Sequence, residues 1–223
     1  SQGHFPVVAN SNSGTYSIDS SHICLNDFNQ DLYDLTLIDT PGHPSFSLQV
    51  ASGLRGAEGA LFLIDLNKGI GYNSARLLQE LNASGVPAIA VLNKIDLVRN
   101  IESAVEDVRD SMGRYGLELK MLELPDETSF YESKIDSKDR DPIAKLPKGY
   151  VENNIDGIQI PGVLTSAGNC QGIRELLAYM FNYFPDPNTN LLYRGLDVNA
   201  DFSAHVINRI PGRGSRDLVV ARV

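Results

Sequence analysis

Short apolar runs alternate with stretches of helical spacing along most of this chain, and that alternation limits the fold more than any other feature. Leu35 to Asp39, Ala60 to Leu66 and Ala88 to Leu92 are apolar runs of strand length, the first stopped by Pro41 and Gly42. Val163 and Leu164 start a fourth. Between them lie helical spacings: Phe46, Val50 and Leu54; Ala75, Leu77, Leu78 and Leu81; Ile101 to Tyr115; and Leu176, Leu177, Met180 and Phe184. Gly85 with Pro87, and Gly116, end the second and third. Buried strands joined by crossover helices pair in parallel. The chain therefore predicts an α/β fold with an open, doubly wound, mostly parallel sheet.

The flanks are less periodic. Ser11 to Ser21 reads as loop running into a strand near His22 to Leu25, and Asn26 to Asp31 as a turn. Leu117 to Leu124 alternates like a strand. The polar stretch Pro125 to Asp156 reads as an insertion or loop. After Pro185 and Pro187 the pattern becomes β-like at Phe202 to Ile207 and Asp217 to Val223. Residues 1–187 thus form one expected domain, and 188–223 the beginning of a β-barrel domain.

Composition narrows the function. With 223 residues, 42% of them hydrophobic, the chain can bury one sizeable core. A net charge of -9 argues against coating nucleic acid by general electrostatics, so no DNA partner is expected. The longest apolar runs are far too short to span a bilayer, and no targeting segment is visible, so no membrane partner is expected. Cys24 and Cys170 lack metal spacing, which suits a reducing compartment.

Three groups of residues carry chemistry, each at a predicted strand end, where open α/β sheets bind ligands. In the first, Asp39 to His43, the Asp39 carboxylate can hold Mg²⁺ through water, Gly42 can bring a backbone N–H against a phosphate, and His43 projects beyond it. The same residues also suit an ordinary strand-to-turn junction. In the second, Asn93, Lys94, Ile95 and Asp96, the Asp96 carboxylate can accept two hydrogen bonds from guanine N1–H and its amino group. Adenine lacks that donor pair. Asn93 can tie neighbouring loops together, and the Lys94 stem can lie over the base. A solvated charged loop is the plainer alternative. In the third, Thr165 to Gly168, the small Ser166 and Ala167 let a backbone N–H reach guanine O6, although small residues fill many strand-to-helix turns.

In this order, the three groups resemble the guanine-nucleotide GTPases. Asp39 to His43 is similar to the form found in translational GTPases, with histidine where small signalling GTPases usually carry glutamine. The resemblance runs from about Ser17 to Val223. Pro41 to Phe46, Ala90 to Asp96, Arg114 to Leu119 and Pro211 to Gly214 resemble the subunit-joining initiation factor of the bacterial factor two and eukaryotic factor five-B type. Phe46 to Leu54 and Gly69 to Ser74 equally suit the elongation factor four type. The resemblance implies a P-loop GTPase fold, GTP or GDP with Mg²⁺ as ligands, and a ribosome or ribosomal subunit as partner, with rRNA or tRNA reached through other domains. It implies that GTP hydrolysis drives a conformational switch, with His43 catalytic. Cytoplasm is the expected compartment, with the mitochondrial matrix as alternative.

The family's Gly-rich phosphate loop with Lys and Ser/Thr is not found before the first helix; the first lysine is Lys68. Thr15 to Ile23 instead resembles the first switch and the strand after it, with Ser17 in place of the threonine that senses Mg²⁺ and the γ-phosphate. The loop then precedes these residues in a longer chain, is missing from the sequence, or has been lost. Loss would leave a degenerate, non-hydrolysing module that binds a ribosome or an assembling subunit. The 223 residues alone are expected to bind GTP weakly or not at all, and to hydrolyse none.

Overall fold

The computed structural model describes residues 19–26, 32–122, 158–187, 204–210 and 218–222. The elements in chain order are β1 (Asp19–Asn26), β2 (Leu32–Asp39), a 3-10 turn (Pro44–Phe46), α1 (Ser47–Gly56), β3 (Ala60–Asp65), α2 (Tyr72–Ser84) and β4 (Ala88–Asn93). A second 3-10 turn (Ile95–Leu97), α3 (Ile101–Gly113), β5 (Leu117–Met121), β6 (Ile158–Leu164), α4 (Ile173–Tyr183), β7 (His205–Ile210) and β8 (Leu218–Arg222) follow.

The centre is a four-stranded parallel sheet in the order β3-β4-β6-β5. Side chains of a strand alternate between faces, so both faces of this sheet carry apolar residues. Phe62 and Ile64 of β3, Ala90 and Leu92 of β4, and Leu117 and Leu119 of β5 pack with Leu78 and Leu81 of α2 and Val108 and Met112 of α3. On the opposite face Ile89, Val91 and Val163 pack with Leu176 and Met180 of α4. Helices on both faces make the sheet doubly wound, as the alternating pattern predicts.

Two expectations need correction. Leu35 to Asp39 does not extend the parallel sheet. It belongs to β2, which pairs antiparallel with β1 in a separate two-stranded ladder running from Asp19↔Asp39 to Asn26↔Leu32. An apolar run signals burial but not which strand it pairs with; Leu35 is partly buried against the α4 side of the core without joining the sheet's ladder. The strand expected to start at Val163 begins earlier, at Ile158. Pro161 conceals it, because proline cannot donate to a ladder. The Thr165 N–H donates to Leu92 O at 2.9 Å, whereas the Leu122 N–H donates to Gly162 O at 2.9 Å. Odd-numbered residues of β6 thus face β4, and β4 pairing starts only at Ala90↔Gly162. The missing N–H of Pro161 falls just outside that ladder.

Helix α1 lies against β2 and β7. A Cβ on Gly53 would sit 2.8 Å from Thr40 Cγ2, so glycine there allows the helix to approach the end of β2. Ser52 Oγ donates to Ile207 O at 2.8 Å. Strands β7 and β8 form an antiparallel pair with a register shift between Val206 and Asn208. Among the described residues the β-like tail is this pair. Pro125 to Asp156 and Ser17 lie outside the described residues. No described helix is long and apolar enough to cross a membrane.

Candidate functional site

Strand β4 is buried from Ala88 to Leu92 and delivers Asn93 to the carboxyl end of the sheet. There the chain turns sharply. Lys94 adopts φ 68 and ψ 37, a left-handed conformation uncommon for a residue with a Cβ, and Ile95 to Leu97 then close a 3-10 turn. The Ile95 N–H donates to Thr165 O at 3.2 Å, which locks this turn to the end of β6.

Side chains complete the junction. Asn93 Oδ1 accepts from Thr165 Oγ1 at 3.2 Å and from the Ala167 N–H at 3.0 Å. Ser166 Oγ donates to Asp96 Oδ1 at 2.5 Å. Thr165 and Ser166 are only 1% and 0% exposed, so their hydroxyls need partners within the protein, and they have them. Four of the residues singled out in the sequence, Asn93, Asp96, Ser166 and Ala167, are thus joined in one network 70 or more residues long in sequence span.

The loop from Ser166 to Gln171 is closed on itself. Ser166 N–H donates to Gln171 O at 2.9 Å and Gln171 N–H to Ser166 O at 3.0 Å. Gly172 ends the loop at φ 72, and a Cβ there would lie 2.2 Å from Leu164 O, so only glycine lets α4 start this close to β6.

Lys94 points elsewhere. Its Nζ donates to Asp65 Oδ2 at 2.7 Å, across the ends of β3 and β4, where Asp65 and Asn93 are in register. Lys68 Nζ is 3.9 Å from the same oxygen, and the Asn67 N–H donates to Asp65 Oδ1 at 3.2 Å. The Lys94 hydrogen bond is the main reason the Asp65 carboxyl is held below its ordinary value of 3.8; desolvation opposes it, and the charges of Lys94 and Lys68 and the Asn67 N–H add to it. Asp65 is a part of this strand-end cluster that the three motifs do not single out. Asp65 closes an apolar strand as Asp39 does, and that position was the available signal.

The first group stands at the end of β2. Asp39, Gly42 and His43 are exposed and Pro41 is buried. A Cβ on Gly42 would meet nothing within 4 Å, so the space above its backbone is open. His43 caps the Pro44–Phe46 turn: its Nδ1 accepts the Ser45 N–H at 3.2 Å, and its ring meets Phe46 edge-on with centroids 6.2 Å apart. Acceptance at Nδ1 puts the proton of the neutral ring on Nε2. His43 bonds to its near neighbours Ser45 and Phe46, and the hydrogen bonds of the Asn93 network do not include it.

The α/β fold that carries this junction recurs in known proteins. Residues 9–186 match the elongation factor Tu GTP-binding domain family. A bacterial selenocysteine-specific elongation factor superposes with a TM-score of 0.54 at 19% identity, over 92% of this chain and 27% of that one. A protein from Thermus thermophilus gives 0.53 at 17%, over 77% and 33%. GDP-bound aIF5B from Aeropyrum pernix gives 0.49 at 20%, over 84% and 30%. The chain spans a third or less of the length of these solved structures, and the first two share its P-loop GTPase-like α/β fold. With the family match covering most of its length, the chain belongs to the elongation factor Tu GTP-binding domain family, the translational GTPases.

Proposed function

We propose that the carboxyl end of the parallel sheet binds the base of GTP or GDP, as part of a translation factor that switches on the ribosome. The network joining Asn93 to Ala167 and Ser166 to Asp96 carries this reading. It holds a carboxylate and a backbone N–H side by side before any ligand arrives, which lowers the ordering cost of binding. Asp96 accepts from guanine N1–H and the amino group. The Ala167 N–H, which meets Asn93 Oδ1 at 3.0 Å, would be shared with O6 once the base is bound, Asn93 braces the two loops, and the Lys94 stem lies beside the base. Adenine would leave the Asp96 charge unpaired.

The phosphates extend toward Gly42, whose open backbone offers an N–H. Asp39 is an exposed carboxylate at a strand end, which fits Mg²⁺, an ion that keeps several waters and takes one or two carboxylates beside phosphate oxygens. Asp39 and Ser17 would hold it, and the ion would neutralise phosphate charge. His43, with its Nε2 proton, donates to the oxygen of a water and orients it; little covalent chemistry is left for the protein beyond positioning. Within the class, we favour the subunit-joining initiation factor type on the residues around Pro41 to Phe46 and Ala90 to Asp96, with 188–223 opening a β-barrel domain. The partner is then a ribosome or ribosomal subunit.

Asp96→Asn tests the base site. The substitution reverses one hydrogen-bond polarity, so GTP should weaken by roughly 2–4 kcal/mol, the scale of a lost charge-assisted bond and an unpaired group. Xanthosine triphosphate should bind the variant better than GTP. Equal GTP affinity of both proteins in a nucleotide titration removes Asp96 from the pocket.

A further inference from the structure

We infer that Asp65 is a positioning residue of the base site, holding Lys94 across the ends of β3 and β4 so that its stem stands ready beside the nucleotide. The inference rests on the guanine-site reading above and adds to it a residue outside the three motifs. Asn93 and Lys94 are consecutive but are pulled in opposite directions. Asn93 Oδ1 is tied to the β6 loop through Thr165 and Ala167. Lys94 Nζ is tied to β3 through Asp65 at 2.7 Å. The left-handed backbone at Lys94 is what lets adjacent residues diverge in this way.

Asp65 is itself fixed before it meets Lys94. Its Oδ1 accepts the Asn67 N–H, and its backbone O accepts the Lys68 and Gly69 N–H groups, both at 2.9 Å. The remaining carboxylate oxygen is therefore aimed by a closed turn, and a long, otherwise rotamer-rich lysine is narrowed to one direction. Removing that restraint leaves Lys94 charged and present but no longer pre-aimed. The ligand then bears the ordering cost.

The Asp65–Lys94 pair is partly exposed, its side chains 20% and 47% exposed, so it contributes little to folding stability by itself. A binding effect without a stability effect is the signature of positioning. GDP binding to the 223-residue chain is followed by NMR shift titration, which reads affinities down to the millimolar range. It is measured for the unsubstituted protein, Asp65→Asn, Lys94→Met and the double variant, beside thermal melts. Asp65→Asn should weaken GDP roughly fivefold, the upper scale of one exposed ion pair, with an unchanged melting temperature. In the Lys94→Met background the same change should have no further effect, and Asp65→Glu should restore part of the affinity. An Asp65→Asn effect of equal size in both backgrounds, or no effect beside a clear loss in Asp96→Asn, overturns the positioning role alone. No GDP-induced shifts in the unsubstituted chain overturn the base-site reading and this inference together.

Discussion

The two strand ends that carry the candidate chemistry are built in opposite ways. At the end of β4, hydrogen bonds from Asn93, Asp96 and the Ile95 backbone reach residues on β6 and its loop, and Thr165 and Ser166 are buried among them. At the end of β2, His43 is exposed and its partners are Ser45 and Phe46, two and three residues away. A site that discriminates bases needs donors and acceptors fixed in advance, because selectivity comes from leaving the wrong base unpaired. A site that responds to a phosphate needs geometry that can change at small cost. A network spread over two strands fits the first need of the proposed site, and a short turn at the end of a two-stranded ladder fits the second.

The sharpest way to break this comparison is at His43. His43→Ala removes the Nε2 donor and the cap on the Pro44–Phe46 turn but touches no residue of the Asn93 network. If the protein hydrolyses GTP on the ribosome as proposed, stimulated turnover should fall by about 10²–10⁴-fold, the usual scale for a positioned group acting on a water. GTP affinity should stay nearly constant. Normal stimulated turnover would make His43 only a capping residue, and a parallel loss of affinity would show that the two strand ends are not separate.

Asn93→Ala probes the other region, with a smaller effect of a different kind. It removes the acceptor shared by Thr165 Oγ1 and the Ala167 N–H, and Thr165 is almost fully buried. Leaving such donors unpaired costs about 1–3 kcal/mol, so thermal unfolding should shift down and base affinity should fall with it. Unchanged stability in a denaturant titration would mean that water replaces Asn93 and that the junction is looser than its hydrogen bonds indicate.

How much of this was legible in the sequence depends on whether the signal was local. Ala88 to Leu92 reads as a central strand because it is continuously apolar, and Asn93, Asp96 and Ser166 follow from their places at strand ends. Strand β6 was half hidden, since Pro161 reads as a breaker until its neighbour's register is known. The separate pairing of β2 with β1 and the bond between Asp65 and Lys94, 29 residues apart, depend on which strands lie side by side. No local pattern encodes that choice. The same holds for the left-handed turn at Lys94, where no glycine or asparagine marks the position.

The smallest expected effect concerns Asp65, and it tests whether the base-side region extends to β3. The carboxyl is held below 3.8, first by the hydrogen bond from Lys94 and further by the charges of Lys94 and Lys68 and the Asn67 N–H, against desolvation. A folded-state value below the unfolded one means that the unfolded chain takes up the proton first as pH falls. The contribution to stability is therefore complete above 3.8 and is lost as pH drops through the lower folded value. It is small, because the pair is partly exposed and screened by water and salt. NMR titration of the Asp65 carboxyl carbon reads it directly. The midpoint should lie below 3.8 in the unsubstituted protein and move up in Lys94→Met, where Lys68 and the Asn67 N–H still act on the carboxylate. A midpoint that does not respond to Lys94→Met would detach Lys94 from β3 and confine the rigid region to the ends of β4 and β6.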